Sequence, residues 1–308
     1  MMSDVRKPTA REAGRPEITD DTCRPAGRSV LCGLVGRGIH GSLTPVLHEA
    51  EGKARGIPYV YRLIDLEQIG RSVQDLPDIL GAAEYLGFNG LNITHPCKQA
   101  VLPLLTELSD IARALGAVNT VVFKDGRRIG HNTDWSGFAE PFRRKMTDVK
   151  RHNVVQLGAG GAAAAVGHAA LTSGVEQLTI FDLVARRAEE LAAKLSAQFG
   201  NGRARAGEDL ATAVQAADGL INTTPIGMAS HPGMPLPADL LRPDLWVAEI
   251  IYFPLETELL KRARVLGART LDGGGMAVFQ AVEAFRLFTG IEPDSDRMSA
   301  HFAALRPA

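Results

Sequence analysis

Apolar positions in this chain fall into short runs and helix-spaced stripes that alternate along its length. Val30, Leu31, Leu34 and Val35 predict a buried strand. A polar, glycine-rich loop follows over residues 36–43. Thr44 reads as an N-cap and Pro45 as the first helical residue, where a missing N–H costs nothing. That helix should run to about Arg55 and stop at Gly56. Residues 60–64 alternate as a strand, with Tyr59 and Tyr61 on one face. A helix is expected over 78–86, closed by Gly87, then a strand over 90–94 ended by His95-Pro96. A helix restarts over 98–105, and Ser109 caps another that Gly116 ends. Residues 117–123 predict a strand, and Asp125-Gly126 signals a hairpin.

After a helix over 135–145 and a polar link over 146–153, the pattern sharpens. Val154, Val155 and Leu157 predict a strand; Gly158, Gly160 and Gly161 a tight turn; the alanine run from Ala162 a close-packing helix; and a second strand ends at Asp182. This has the form of a dinucleotide-binding fingerprint, with Ala163 at the third glycine position. Glycines let the backbone approach a pyrophosphate, and the helix N-terminus offers it free N–H groups. A strand-to-helix turn with no ligand is the plainer alternative. A helix over 185–199, strands over 219–223 and 246–251, a helix over 256–266 and a strand over 269–271 complete a Rossmann-like unit. A last apolar helix, 276–288, is placed to return to the first half.

The alternation of strands and helices predicts an α/β protein of two domains. The first should be an α/β domain with a largely parallel sheet over 29–133, completed by residues 276–308; the second, over 134–275, is Rossmann-like, with a cleft between them. The helix after Asp134 would be the hinge. Residues 1–28, rich in Arg, Pro, Asp and Gly, read as a mobile tail.

Composition narrows the function. The formal net charge of −1 argues against a nucleic-acid partner. Cys23, Cys32 and Cys97 lack paired spacing, which suggests a reducing, cytoplasmic setting without disulfides or zinc. No apolar run is long enough to span a bilayer, and His95 and His131, beside the candidate stretches, have no second histidine at i+3 or i+4 to suggest a metal site.

Six stretches carry candidate chemistry. In 92–98, Asn92 and Thr94 share one side of a strand end, and Lys98 opens a helix, where a cation is locally unfavourable. Such placement suits a lysine used in proton transfer; a solvated surface lysine is the alternative. Asn119 is a polar residue in an apolar strand and needs partners if buried. Asn132-Thr133-Asp134 is either a site or a helix cap. Ser42 and Thr44 offer two hydroxyls beside a helix start, suited to a carboxylate. Residues 222–228 break from a strand end, where ligands of open α/β sheets sit. Gly273, Gly274 and Gly275 leave a backbone that a flat ring could approach, with Gln280 one turn further on.

Together these stretches resemble the shikimate dehydrogenase family, in particular its quinate/shikimate dehydrogenase branch, over about residues 30–305. The motifs are SLTP from Ser42, NITHPCK from Asn92, GAVNT from Gly116, NTD from Asn132, GAGGA from Gly158, NTTPIGM from Asn222 and DGGGMAVFQ from Asp272. The resemblance implies Lys98 and Asp134 as the catalytic pair. Ser42 and Thr44 would then bind a carboxylate, and Asn92, Thr94, Asn119 and Gln280 ring hydroxyls. Gly158, Gly160, Gly161, Ala162, Asp182, Arg187, Thr224, Pro225, Met228, Ile250, Gly273 and Met276 would line an NAD site. The substrates implied are quinate and shikimate, and a homodimer is left open. Two departures refine this. Biosynthetic members carry Asn-Arg-Thr after the second Rossmann strand, and its arginine grips the 2′-phosphate of NADP. Here Asp182, Leu183 and Val184 stand there. An aspartate accepts from ribose hydroxyls and repels a phosphate, so NAD is expected, with Arg186 and Arg187 as a counterweight. Thr44 replaces the serine usual in shikimate-specific members and resembles the quinate branch. Glu249, where relatives often have aspartate, is expected to matter little. The alternatives are an NADP-dependent biosynthetic enzyme, a relative acting on an amino-substituted ring acid, and a catalytically idle nucleotide-binding regulator.

Overall fold

The computed structural model describes residues 29–305. The tail expected over 1–28 lies outside the described residues.

Two six-stranded sheets organise the chain. The first half contributes β1 (Val30–Gly36), α1 (Thr44–Ala54), β2 (Tyr59–Asp65), α2 (Leu76–Tyr85), β3 (Gly90–Ile93), α3 (Cys97–Ala100), β4 (Glu107–Leu108), α4 (Asp110–Leu115), β5 (Thr120–Lys124) and β6 (Arg127–His131). Their sheet has the order β2-β1-β3-β5-β6-β4. It is mixed, contrary to the expectation of a largely parallel sheet. β1 runs parallel to β2 and β3, but the Asp125-Gly126 turn makes β5 and β6 a hairpin, and β5 lies antiparallel to β3. Both turn residues have positive φ, 52° and 71°, the combination a two-residue hairpin with native twist requires.

The chain then crosses through α5 (Asp134–Lys145) into the second sheet. Its elements are β7 (Asn153–Leu157), α6 (Ala163–Thr172), β8 (Gln177–Phe181), α7 (Ala185–Phe199), β9 (Ala204–Ala206), α8 (Leu210–Gln215), β10 (Gly219–Asn222), β11 (Trp246–Glu249), α9 (Glu258–Val265) and β12 (Thr270–Leu271). All six strands are parallel, in the order β12-β11-β10-β7-β8-β9. The order reverses between β10 and β7, so the connections leaving their carboxyl ends run to opposite sides, as at the crevice where doubly wound sheets take ligands. Apolar layers cover both faces: Val166, Leu178 and Ile180 lie in one cluster, Val155, Leu220 and Leu260 in the other.

The return to the first sheet follows expectation. α10 (Gly274–Thr289) sends Ala284, Phe285 and Phe288 into a core shared with Val30, Cys32, Tyr59 and Tyr61, and α11 (Ser295–Ala304) packs beside it. Phe285 is fully buried, which stabilises the fold by roughly 2–3 kcal/mol. α10 also crosses α5 closely. A Cβ on Gly137 would come within 2.9 Å of the Met276 carbonyl, and one on Gly275 within 2.7 Å of Pro141.

Some boundaries differ. The helix expected over 98–105 breaks after Ala100 into a single 3-10 turn, Leu102–Leu104, because Pro103 lacks the N–H that would continue it. Thr44 is the first residue of α1 rather than its cap, and no side chain caps that helix. α10 begins at Gly274, two residues before the expected start. β4, β9 and α8 were not anticipated; at two, three and six residues they are too brief to show a period.

Candidate active site

Short turns at the carboxyl ends of strands bring the polar stretches together. β3 ends at Ile93, and Thr94 N donates to the Val35 carbonyl at 2.9 Å, holding that strand end against β1. Cys97 N donates to the Thr94 carbonyl at 2.7 Å and turns the chain into α3. Lys98 therefore leaves a one-turn helix, not the long helix expected. Its carbonyl accepts from Val118 N at 2.9 Å, which ties α3 to the GAVNT segment.

The ammonium of Lys98 is paired with Asp134 Oδ2 in a short hydrogen bond. Asp134 is the first residue of α5 and its side chain is 4% exposed, whereas Lys98 retains 20%. The lysine thus keeps some access to solvent while the carboxylate is buried. Asn132 braces the turn: its Oδ1 accepts from Asp134 N at 3.1 Å and its Nδ2 donates to the Ala117 carbonyl at 3.0 Å. The stretch 132–134 is neither a plain cap nor a free site, because Thr133 occupies the cap position without a side-chain cap bond.

Asn119 is buried, and its Nδ2 donates to Asp134 Oδ1 at 2.9 Å and Thr133 Oγ1 at 3.0 Å, while its Oδ1 accepts from Thr133 N at 2.7 Å. Both amide hydrogens are committed inside the protein, so it orients Asp134. Asn92, Thr94 and Gln280 are half-buried, on β3, just beyond β3, and on α10. Ser42 and Thr44 lie together at the start of α1: Ser42 Oγ donates to Thr44 Oγ1 at 3.0 Å and accepts from Thr44 N at 3.3 Å.

The expected cofactor residues divide into two groups. Gly158 is buried with φ +96°, and a Cβ there would meet Thr223 Oγ1 at 2.8 Å, so glycine is required by both conformation and contact. Gly160 and Gly161 are exposed, and a Cβ on either would touch nothing within 4 Å. With Ala162 half-buried beside them, they leave open room over the start of α6, which fits a pyrophosphate. Asp182 lies just past β8, its Oδ2 accepting from Ala159 N at 2.8 Å and its Oδ1 from Val184 N at 2.9 Å. Each oxygen keeps a lone pair for a ribose hydroxyl. Leu183 beside it is fully exposed. Arg186 is paired with Glu190 at 3.1 Å, whereas Arg187 is exposed and has no ion-pair partner among the described residues. Thr224, Pro225 and Met228 border the crevice beyond β10, with Pro225 and Met228 exposed.

The other group is interior. A Cβ on Gly273 would come within 2.3 Å of the Ile251 carbonyl; one on Gly274 would meet Leu255 and Phe302; Gly275 faces Pro141. The three glycines permit close packing, Gly273 against backbone and Gly274 and Gly275 against side chains. Met276 is likewise 8% exposed, inside a core cluster against which the half-buried Ile250 packs.

Two residues were missed or undervalued. Gln156, fully buried in β7, donates its amide to the carbonyls of Gly158 at 3.1 Å and Ala163 at 3.2 Å. That draws two carbonyls of the glycine turn inward. A glutamine in the otherwise apolar run from Val154 to Leu157 was the available signal. Glu249, at the end of β11, is buried and accepts from Asn222 Nδ2, Ile250 N, Ile251 N and Thr257 Oγ1 at 3.0–3.3 Å. Asn222 in turn holds Thr224 through its Oδ1 at 2.7 Å. Burial pushes the Glu249 carboxyl up to about 7, against the pull of its hydrogen bonds. It knits the loops after β10 and β11 together.

A Rossmann-like sheet with an open glycine turn, joined to a second α/β domain that carries a lysine–aspartate pair and half-buried polar side chains, defines a nucleotide-dependent oxidoreductase. Sequence comparison agrees. Residues 34–121 match the shikimate dehydrogenase substrate binding domain, and residues 273–300 the shikimate 5'-dehydrogenase C-terminal domain. A shikimate dehydrogenase (NADP+) of Streptomyces avermitilis is 57% identical, covering 90% of this chain and 96% of its own. A quinate/shikimate dehydrogenase (NAD+) of Corynebacterium efficiens is 52% identical, covering 90% and 99%. The structure of quinate dehydrogenase from Corynebacterium glutamicum in complex with NAD superimposes with a TM-score of 0.86 at 49% identity, covering 90% of this chain and 99% of that one. This chain belongs to the shikimate dehydrogenase family.

Proposed function

We propose that this protein is an NAD-dependent dehydrogenase of quinate and shikimate, oxidising one ring hydroxyl to give 3-dehydroquinate or 3-dehydroshikimate. The part-buried Lys98–Asp134 pair carries the reading, because a lysine held by a buried carboxylate is suited to proton transfer. Residues 29–133 with 276–308 form the substrate half and residues 134–275 the cofactor half. Ser42 and Thr44 hold the ring carboxylate, and Asn92, Thr94 and Gln280 face its hydroxyls. Bound NAD supplies the hydride acceptor. As the C–H bond gives up its electron pair, the hydroxyl proton passes to Lys98 acting as the neutral amine, and the ammonium so formed is held by Asp134. This is general acid–base catalysis joined to positioning.

The choice of NAD rests on Asp182. Overall identity does not separate the cofactor classes, since relatives named for NADP and for NAD are similarly near. Asp182 beside the apolar Leu183 offers a 2′-phosphate repulsion where ribose hydroxyls find acceptors. Arg187 favours the second reading, an NADP-dependent biosynthetic enzyme, because it is exposed and unpaired among the described residues. Steady-state oxidation of quinate and shikimate by the full chain, followed through reduced nicotinamide, tests the proposal. Turnover of neither substrate with either cofactor defeats it.

A further inference from the structure

Four successive hydrogen bonds join Tyr61 to Asp134. Tyr61 Oη donates to Asn92 Oδ1 at 2.6 Å, Asn92 Nδ2 to Thr120 Oγ1 at 2.9 Å, Thr120 Oγ1 to Asn119 Oδ1 at 3.0 Å, and Asn119 Nδ2 to Asp134 Oδ1 at 2.9 Å. The sheet sets this line. Asn92 and Thr120 are paired across β3 and β5, and Tyr61 reaches Asn92 from β2 over the intervening β1.

Two backbone groups fix the direction of every bond. Thr133 N can only donate, and it donates to Asn119 Oδ1, so the Asn119 amide nitrogen must face Asp134. Asn119 Oδ1 can only accept, so Thr120 must give it its hydroxyl proton. Thr120 Oγ1 then accepts from Asn92, and the Asn119 carbonyl, 3.4 Å from Asn92 Nδ2, demands the same orientation. Asn92 Oδ1 is left pointing at Tyr61, which is buried and must donate.

We infer that Tyr61 and Thr120 are positioning residues for the reaction proposed above, and that the chain they complete makes Asn92 a hydrogen-bond acceptor toward the substrate ring. Both amide hydrogens of Asn92 are spent, and its Oδ1 keeps one lone pair beside the Tyr61 proton. The ring substituent at this position must therefore donate. A hydroxyl or an ammonium is accepted; a ketone or a methyl ether finds no donor and leaves a lone pair unmet. The same chain fixes the rotation of the Asp134 carboxylate, and so the direction in which Lys98 is held.

The inference rests on the proposed function, and the test separates the two. Wild type, Tyr61→Phe, Thr120→Val, Thr120→Ser and the Phe/Val double variant are assayed as full chains with NAD and quinate or shikimate. Wild-type silence on both acids overturns the functional reading. With wild type active, Tyr61→Phe should lower kcat/KM for the acid about tenfold and leave KM for NAD within about twofold. Thr120→Val should lose at least as much, Thr120→Ser should restore activity, and the double variant should lose less than the product of the single losses. Tyr61→Phe activity equal to wild type, an equal rise in KM for NAD, or strictly multiplicative losses overturns the inference. Tyr61→Phe keeps the buried ring and carries the test alone if Thr120→Val fails to fold.

Discussion

The carboxylate of Asp182 accepts the backbone N–H of Ala159 at 2.8 Å, joining the end of β8 to the glycine turn. One side chain therefore shapes the glycine turn and, under the proposed function, offers acceptors to a ribose. Asp182→Ala should raise KM for NAD about tenfold or more, since it removes a charge-assisted bond as well as the ribose acceptors. It should narrow the NAD-to-NADP ratio of kcat/KM, because the repulsion of a 2′-phosphate disappears. An unchanged ratio on steady-state comparison removes Asp182 from cofactor choice.

Lys98→Met deletes the amine of the part-buried pair. The kcat should fall by about a hundredfold to ten-thousandfold, the usual worth of a positioned acid–base group, while KM for NAD stays near wild type. Asp134→Asn keeps the shape but weakens the hold on Lys98, and should also lower kcat. Retention of more than a tenth of wild-type kcat by Lys98→Met assigns proton transfer to another group.

Glu249 makes stability depend on pH. Its folded value of about 7 lies above the ordinary carboxylate value of 4.5. Folding thus favours the protonated acid: the benefit is complete below about pH 4.5 and is lost as pH rises through 7. Wild type should lose about 2 kcal/mol relative to Glu249→Gln between pH 5 and 8, as the linkage relation gives for a shift of this size. Parallel thermal denaturation of the two proteins across that range checks the sign. Identical slopes show that Glu249 titrates alike in folded and unfolded chains.

Gln156→Leu frees the carbonyls of Gly158 and Ala163. The turn loses the two bonds that draw them inward, so KM for NAD should rise several-fold with KM for quinate unchanged. Equal changes in both constants point to general loosening of the sheet.

The glycine turn was legible because strand, glycines and helix follow one another in a single local motif; the pairing of Lys98 with Asp134, 36 residues apart, came only from the family resemblance. What Asn119 does was not legible, because its partners Thr133 and Asp134 arrive from another strand end, and only the tertiary arrangement shows its amide fully spent. Gly273 to Gly275 are a related case. Absent side chains mark a close approach, but not what approaches, and here it is Ile251, Leu255 and Pro141. Glu249 looked conservative as a substitution because burial, which sets its chemistry, is not written in a single strand. The mixed first sheet was foreshadowed by Asp125-Gly126, whose hairpin reverses the chain and forces β6 antiparallel to β5.

The central claim is oxidation of a ring polyol acid with NAD. The most direct measurement is kcat/KM of the full wild-type chain for quinate and for shikimate, each at saturating NAD and at saturating NADP. Turnover of both acids, with kcat/KM at least about tenfold higher for NAD, is the predicted result; a tenfold ratio corresponds to about 1.4 kcal/mol of discrimination at the transition state. Preference for NADP, or oxidation of shikimate with quinate untouched, contradicts it.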